Sequence, residues 1–263
     1  MSDLNCGRLF FMKHFGHTRT RVTKHHAFIA PDGHVKTTLP GWHKTQGIIL
    51  ISPQIGARFT QYFALMEPGA EGAMPPPGVE RFIYVMDGSV TITTGASTMS
   101  LEPTDYIYLP PDEAHTLRTL KNASLNIFER RYIPLPTNTE RPPIVTGNEQ
   151  KQKGESFLGD SDVIAKKLLP DLPTFDMAVN TMTFCPGVTL PFAETHFMEH
   201  GMLMLKGGGV YRLNDDWYPI QAGDVLWMGP YCPQWFGALG KEGSSYLLYK
   251  EMNRDVFTLE RES

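Results

Sequence analysis

The chain repeats itself. RFIYVMDGSVTI, which begins at Arg81, lies on HGMLMLKGGGVYRL, which begins at His200, and at the same offset PTDYIYLPPDEAH lies on AGDVLWMGPYCPQ, so that Asp105 falls on Asp224. A duplication of this kind constrains the fold more than any single motif, because one structural unit must be built twice from the same pattern of turns. Within each copy, runs rich in β-branched and aromatic residues are cut by Gly and Pro: GIILIS, RFTQYFALM, YIYLPP and LNIFERRYIPL in the first, FDMAVNTMTF, WYPIQAGDVLWMG and SSYLLYKEM in the second. With 24 Gly and 21 Pro as punctuation, the pattern predicts many short antiparallel strands, as in a sandwich or barrel. Between the copies, PLPTNTERPPIVTGNEQKQKGES reads as a polar linker, and SDVIAKKLLP carries a short helical pattern that stops at Pro170. The expected organisation is an N-terminal unit over 1–140, a linker with a short helix over 141–170 and a C-terminal unit over 171–263.

At 263 residues the chain can bury one large core or two ordinary ones. A formal net charge of -4 gives no general attraction to nucleic acid, which argues against that partner. Cys6, Cys185 and Cys232 are too few and too scattered for a disulfide framework or a metal knuckle, as expected of a reducing compartment. Lys13 and the basic residues after it interrupt MSDLNCGRLFFMKHFGHTRTR, so it does not read as a secretory signal, and no apolar run is long enough to span a bilayer. The cytoplasm is the expected location, with a small-molecule substrate, no membrane or nucleic-acid partner, and self-association through exposed strands into a homo-oligomer.

A strand hairpin, a Gly-containing turn and a Gly/Asp–strand–Pro turn in each half resemble the layout of a cupin. The expected fold class is therefore all-β, a bicupin of two tandem double-stranded β-helix (jelly-roll-like) barrels. Cupins hold a metal with His, His and Glu from one motif and a His from a second. Here the first three slots fall on Glu194, His196 and His200 within ETHFMEHG, Gly207 follows in place, and the second motif runs from Gly223-Asp224 to Gln234. That spacing alone also occurs on exposed turns; its position in both repeated motifs is what gives it weight. Residues two apart on a strand share a face, so Glu194 and His196 are expected to point into the barrel and Thr195 away from it. An oxygen- and nitrogen-rich donor set of this type favours Mn(II) over a Cys-bearing zinc site. In the first half the same slots hold Pro75, Pro77, Arg81 and His115, of which only the last can bind a metal. The N-terminal barrel is thus expected to be metal-free, with His115 a core or pocket histidine. His14, His17, His25 and His26 share no face by any local pattern and read as a solvated segment. In SYLLYK, Tyr246, Leu248 and Lys250 share a face, either the barrel interior or solvent; Tyr211 lies in the strand after His200, and for both tyrosines a place in the core is the default.

ETHFMEHG, GGGVYRLNDDWYPIQAGDVLWMG and SYLLYKEMNRDV together resemble the (S)-ureidoglycine aminohydrolase family, bicupins of allantoin breakdown in purine catabolism. The resemblance extends over nearly the whole chain, including HAFIAPDGHVKTTLPGW and ERRYIP, and departs from the family at Phe197-Met198 between the histidines. It implies a Mn(II) cofactor held by Glu194, His196, His200 and Gln234, and a substrate pocket lined by Tyr211, Tyr246 and Lys250 together with Glu194 and Gln234. It implies release of ammonia from (S)-ureidoglycine to leave (S)-ureidoglycolate. The proton for the departing amine is expected from Lys250 or Glu194, both candidate catalytic residues. Two rivals remain: a metal-dependent bicupin dioxygenase or decarboxylase, which would use the His-His-Glu-His set, and a non-catalytic metabolite-binding cupin, which would have lost ligands in both halves.

Overall fold

The computed structural model describes residues 17–95, 97–135 and 140–255. Cys6, Lys13 and His14 lie outside the described residues. The duplicated pattern appears as matching strands. Val79–Gly88, Val90–Thr94, Ser97–Leu101, Asp105–Leu109 and His115–Arg118 in the first half correspond in order to His200–Lys206, Gly208–Leu213, Asp216–Gln221, Val225–Met228 and Gln234–Ala238 in the second. In the second half an eight-stranded sheet faces a three-stranded one; in the first, the strands form one curled ten-stranded sheet, because Thr60–Gly72 is long enough to pair with neighbours on both sides of the barrel.

The repeated aspartate has a physical role in both copies. Asp105 accepts a hydrogen bond from the Glu102 backbone N–H at 2.8 Å, and Asp224 accepts one from Gln221 N–H at 2.9 Å, each tying the turn that launches the next strand. Each also anchors a strand from elsewhere in the chain. Asn148 Nδ2 donates to Asp105 Oδ1 at 2.7 Å, and Val145–Asn148 pairs with Asp105–Leu109. Arg19 donates to both oxygens of Asp224 at 2.7 and 3.1 Å, just before Arg21–Val22 and His26–Ile29, and the latter pairs with Val225–Met228. The stretch expected to be a linker therefore contributes a strand to the first sheet, and strands from the first forty residues contribute to the second.

SDVIAKKLLP is not a helix. Asp160–Lys167 is a strand, antiparallel to Met177–Phe184 and to Glu155–Phe157. The Ala-Lys-Lys-Leu run suits a helix, but pairing overrides that weak preference: the segment is hydrogen-bonded to strands on both sides, and Leu168 and Leu169 enter the core. His26 also departs from expectation. His17 and His25 are exposed, but His26 is buried, with Nε2 2.9 Å from the Tyr218 hydroxyl and Nδ1 3.2 Å from Thr23 Oγ1. Cys185 and Cys232 are free thiols, and among the described residues no helix is long and apolar enough to cross a membrane.

Three apolar clusters fill the molecule. One lies inside the first barrel, around Ile83, Val85, Ile107 and Leu125, and one inside the second, around Met202, Met204, Phe236 and Tyr246. The third lies between the halves and takes Phe59, Phe82, Tyr108 and Phe128 from one and Phe175, Trp227, Leu247 and Tyr249 from the other. Tyr249 stacks on Phe59 at 4.1 Å between ring centroids. Ser244–Glu251 is consequently covered on both faces, Tyr246 and Leu248 toward the barrel interior, Leu247 and Tyr249 toward the other half. Replacing Arg19 by Ala strands the fully buried Asp224 carboxylate. The expected loss, read from the urea midpoint, is about 2 kcal/mol, below the usual cost of breaking a buried pair because water reaches the half-exposed arginine.

Candidate active site

The interior of the second barrel holds a cavity of about 130 Å³. That is well below the size of a drug-like pocket, so the cavity suits a small molecule. All seven residues singled out in the sequence line it: Glu194, His196, His200, Tyr211, Gln234, Tyr246 and Lys250. Lys250 thus takes the inward of its two possible registers, in line with Tyr246 and Leu248. It sits across from His200 on the neighbouring strand and from Ala178 on the other side.

The loop carrying Glu194 and His196 is not a regular strand. Glu194 makes an isolated bridge to Gln234, its N–H donating to the Gln234 carbonyl at 2.8 Å and its carbonyl accepting from the Gln234 N–H at 2.9 Å. Tyr231 N–H donates to the His196 carbonyl at 2.7 Å, and Thr195, exposed as expected, donates through Oγ1 to the Tyr231 carbonyl at 3.1 Å. The loop is held against the start of Gln234–Ala238 by backbone bonds, with the same inward and outward sense that a strand would impose.

The rings of His196 and His200 lie 4.8 Å apart. His196 Nδ1 is 3.2 Å from the Met198 carbonyl, which takes its N–H and leaves the Nε2 lone pair to accept from Gln234 Nε2 at 3.1 Å. His200 Nε2 and Gln234 Oε1 are buried without a partner among the described residues. Unmatched buried polar atoms are costly, and this pair beside the His196 ring fits a bound cation. Among the described residues no three His, Cys, Asp or Glu side chains form a ready-made metal cluster; the donor group consists of two imidazoles and the Gln234 amide, with Glu194 lining the same cavity.

Burial sets the protonation of the site. It pushes the His200 imidazole well below its ordinary value, aided by His196 and Lys250, and lowers His196, opposed by the Met198 carbonyl. Both rings are therefore neutral near pH 7, the form that ligates. Burial raises the Glu194 carboxyl, with Lys250 pulling it back, and lowers the Lys250 ammonium against the attraction of Asp171 and Glu194. Tyr211 and Tyr246, both buried, are raised and remain protonated donors.

Leu248, placed by the sequence on one face with Tyr246 and Lys250, also lines the cavity, and sequence reasoning missed Phe157, Asn180, Met182 and Met198, which complete the lining. Asn180 was within reach of the period-two rule, since it shares a face with Met182 opposite Leu248 and Tyr246. Phe157 was not, because it comes from the hairpin formed by the presumed linker.

In the first barrel the corresponding positions hold an ion pair. Arg81 lies across from Glu129 as His200 lies across from Lys250. Arg81 Nε and Nη2 donate to Glu129 Oε1 at 2.7 and 2.6 Å, and Nη1 lies 3.1 Å from His115 Nε2, whose ring donates through Nδ1 to the Glu113 carbonyl at 2.8 Å. His115 is thus a buried pocket histidine with both nitrogens engaged. Its burial lowers its pKa below the ordinary value near 6.5. The unfolded chain therefore takes up the proton first as pH falls, and stability drops through that range. Replacing His115 by Gln is expected to shrink the difference between urea midpoints at about pH 8 and about pH 5.

No family model matches the chain. It is 43% identical to (S)-ureidoglycine aminohydrolase of Arabidopsis thaliana over 241 residues, covering 91% of this chain and 80% of that one. It is 34% identical to (S)-ureidoglycine aminohydrolase of Escherichia coli K12 over 242 residues, covering 89% and 92%. The crystal structure of the protein Ylba from E. coli superposes with a TM-score of 0.79 at 31% identity, over 90% of this chain and 96% of that one. Bacillus subtilis oxalate decarboxylase, at 12% identity and a TM-score of 0.66 over 92% and 80% of the chains, shares the bicupin fold.

Proposed function

The chain belongs to the (S)-ureidoglycine aminohydrolase family, and from that membership we propose that it hydrolyses (S)-ureidoglycine to (S)-ureidoglycolate and ammonia in its C-terminal barrel, with Mn(II) held by Glu194, His196, His200 and Gln234. The observation that carries the reading is the pair of unpartnered buried polar atoms, His200 Nε2 and Gln234 Oε1, in a small cavity that also admits Lys250. When bound, a divalent cation supplies a Lewis acid and a template that orients the substrate's anionic end.

The chain's own residues do the rest. The reacting carbon bears two nitrogens. One C–N bond breaks, its electron pair leaving with the amine nitrogen, which takes a proton; a water oxygen bonds to the same carbon and gives a proton up. Lys250 and Glu194 are the groups that exchange those protons. Burial lowers the Lys250 ammonium, which eases proton transfer from it. Tyr211 and Tyr246 donate hydrogen bonds to substrate oxygens, and the Asn180 amide offers a donor and an acceptor that match a ureido end. Phe157, Met182 and Leu248 exclude bulk water, so a single face of the carbon is open to attack. The free thiols support a reducing cytoplasmic setting in purine catabolism, and exposed Leu120, Phe192 and Trp217 support a homo-oligomer.

The test is ammonia release from freshly generated ureidoglycine by protein loaded with Mn(II) and by chelated protein, with the product's chirality. Metal-dependent release of one ureidoglycolate enantiomer is expected; a rate no faster than spontaneous decay, with metal bound, would sink the assignment. Lys250→Met is expected to lower kcat by about 10²–10⁴-fold with metal content unchanged. Unaltered turnover would remove Lys250 from the mechanism.

A further inference from the structure

The residues flanking the site on its strands are charged and buried. Glu199 precedes His200 and Glu251 follows Lys250; their exposures are 0% and 1%. Successive residues of a strand point to opposite faces, so while His200 and Lys250 enter the cavity, the two carboxylates enter the layer between the halves. There they meet Arg58, from the turn that precedes Thr60–Gly72 in the first half. The Arg58 backbone N–H donates to both oxygens of Glu199 at 2.9 and 3.1 Å, its Nε lies 3.3 Å from Glu199 Oε1, and its Nη2 pairs with Glu251 Oε2. Trp227 Nε1 donates to Glu199 Oε2 at 3.2 Å, Arg130 Nη2 lies 3.3 Å from Glu251 Oε1, and the Glu251 N–H donates to the Glu199 carbonyl at 3.2 Å.

We propose that Arg58 is a positioning residue: by tying Glu199 to Glu251 from behind, it sets the separation and tilt of His200 and Lys250, and this is how the N-terminal half serves the reaction. The inference rests on the function proposed above. One guanidinium bridging two carboxylates holds two adjacent strands in a single relation, whereas without it Glu199 keeps only its backbone and Trp227 N–H donors and Glu251 only Arg130, and the two buried carboxylates repel each other across the strands. Arg130, buried and also in contact with Glu80 and Asp176, braces the same layer from the first half but does not reach Glu199 in the described contacts. Among the described residues, Arg58 is the side chain that contacts both carboxylates adjacent to the site side chains.

The experiment compares wild type, Arg58→Lys, Arg58→Met and the double variant Arg58→Met/Glu251→Gln in Mn(II) affinity by EPR titration, in kcat and KM, and in thermal midpoint. Arg58→Met is expected to weaken Mn(II) binding and lower kcat by about tenfold or more each, with KM within about twofold, and Arg58→Lys to recover most of both. The double variant, which removes one of the stranded charges, is expected to regain thermal stability without regaining kcat. The proposal is overturned if Arg58→Met keeps kcat and Mn(II) affinity within about twofold of wild type, or if the double variant recovers kcat along with its stability. If wild type binds Mn(II) but releases no ammonia from ureidoglycine, the substrate assignment fails while the affinity comparison still decides the role of Arg58.

Discussion

Ser244–Glu251 is a strand with no solvent face, and the organisation of the molecule follows from that constraint. A strand buried on both sides must spend every side chain on one interior or the other, and this one does: Tyr246, Leu248 and Lys250 enter the barrel, Leu247, Tyr249 and Glu251 the layer between the halves. Polar groups in such a position need partners or a function. Glu251 has partners, in Arg58 and Arg130. Lys250 has no salt-bridge partner within the chain among the described contacts, and it faces the cavity. The same strand therefore carries a site residue and the tie that locates it, one position apart.

The two barrels solve one topological problem with different chemistry. Where the second barrel places an imidazole across from an ammonium, the first places Arg81 across from Glu129. A fixed guanidinium paired with a carboxylate takes the place of the imidazole and ammonium, and His115 closes the set. That difference accounts for why the duplication is clear in the turns and strands, which both halves need, and faint at the positions whose side chains differ.

Much of this was legible in the sequence. The offset that carries Asp105 onto Asp224 located the turns, because in both copies that aspartate caps the same backbone N–H three residues back. Period two placed Tyr246 and Lys250 together, and the slot order brought Glu194, His196, His200 and Gln234 to one cavity. What sequence could not give was anything set by distant pairing. Asp160–Lys167 contains residues that fit a helix or an edge strand equally well, and only the neighbouring Met177–Phe184 strand decides between them. Phe157 reaches the cavity through that same edge. Nor does any local pattern connect Arg58 with Glu199, since their contact depends on how the halves stack.

Exchange of strands between the halves has a temporal consequence. His26–Ile29 pairs with Val225–Met228, so on the ribosome this segment has no sheet to join until that strand, far along the chain from it, has been made. In the interval its apolar residues Phe28 and Ile29 must be shielded by something other than their native neighbour, and the barrel that holds the site is among the last parts of the molecule to close. A nascent chain of this protein therefore passes through a long stage in which its first half can be nearly complete while its chemistry does not yet exist.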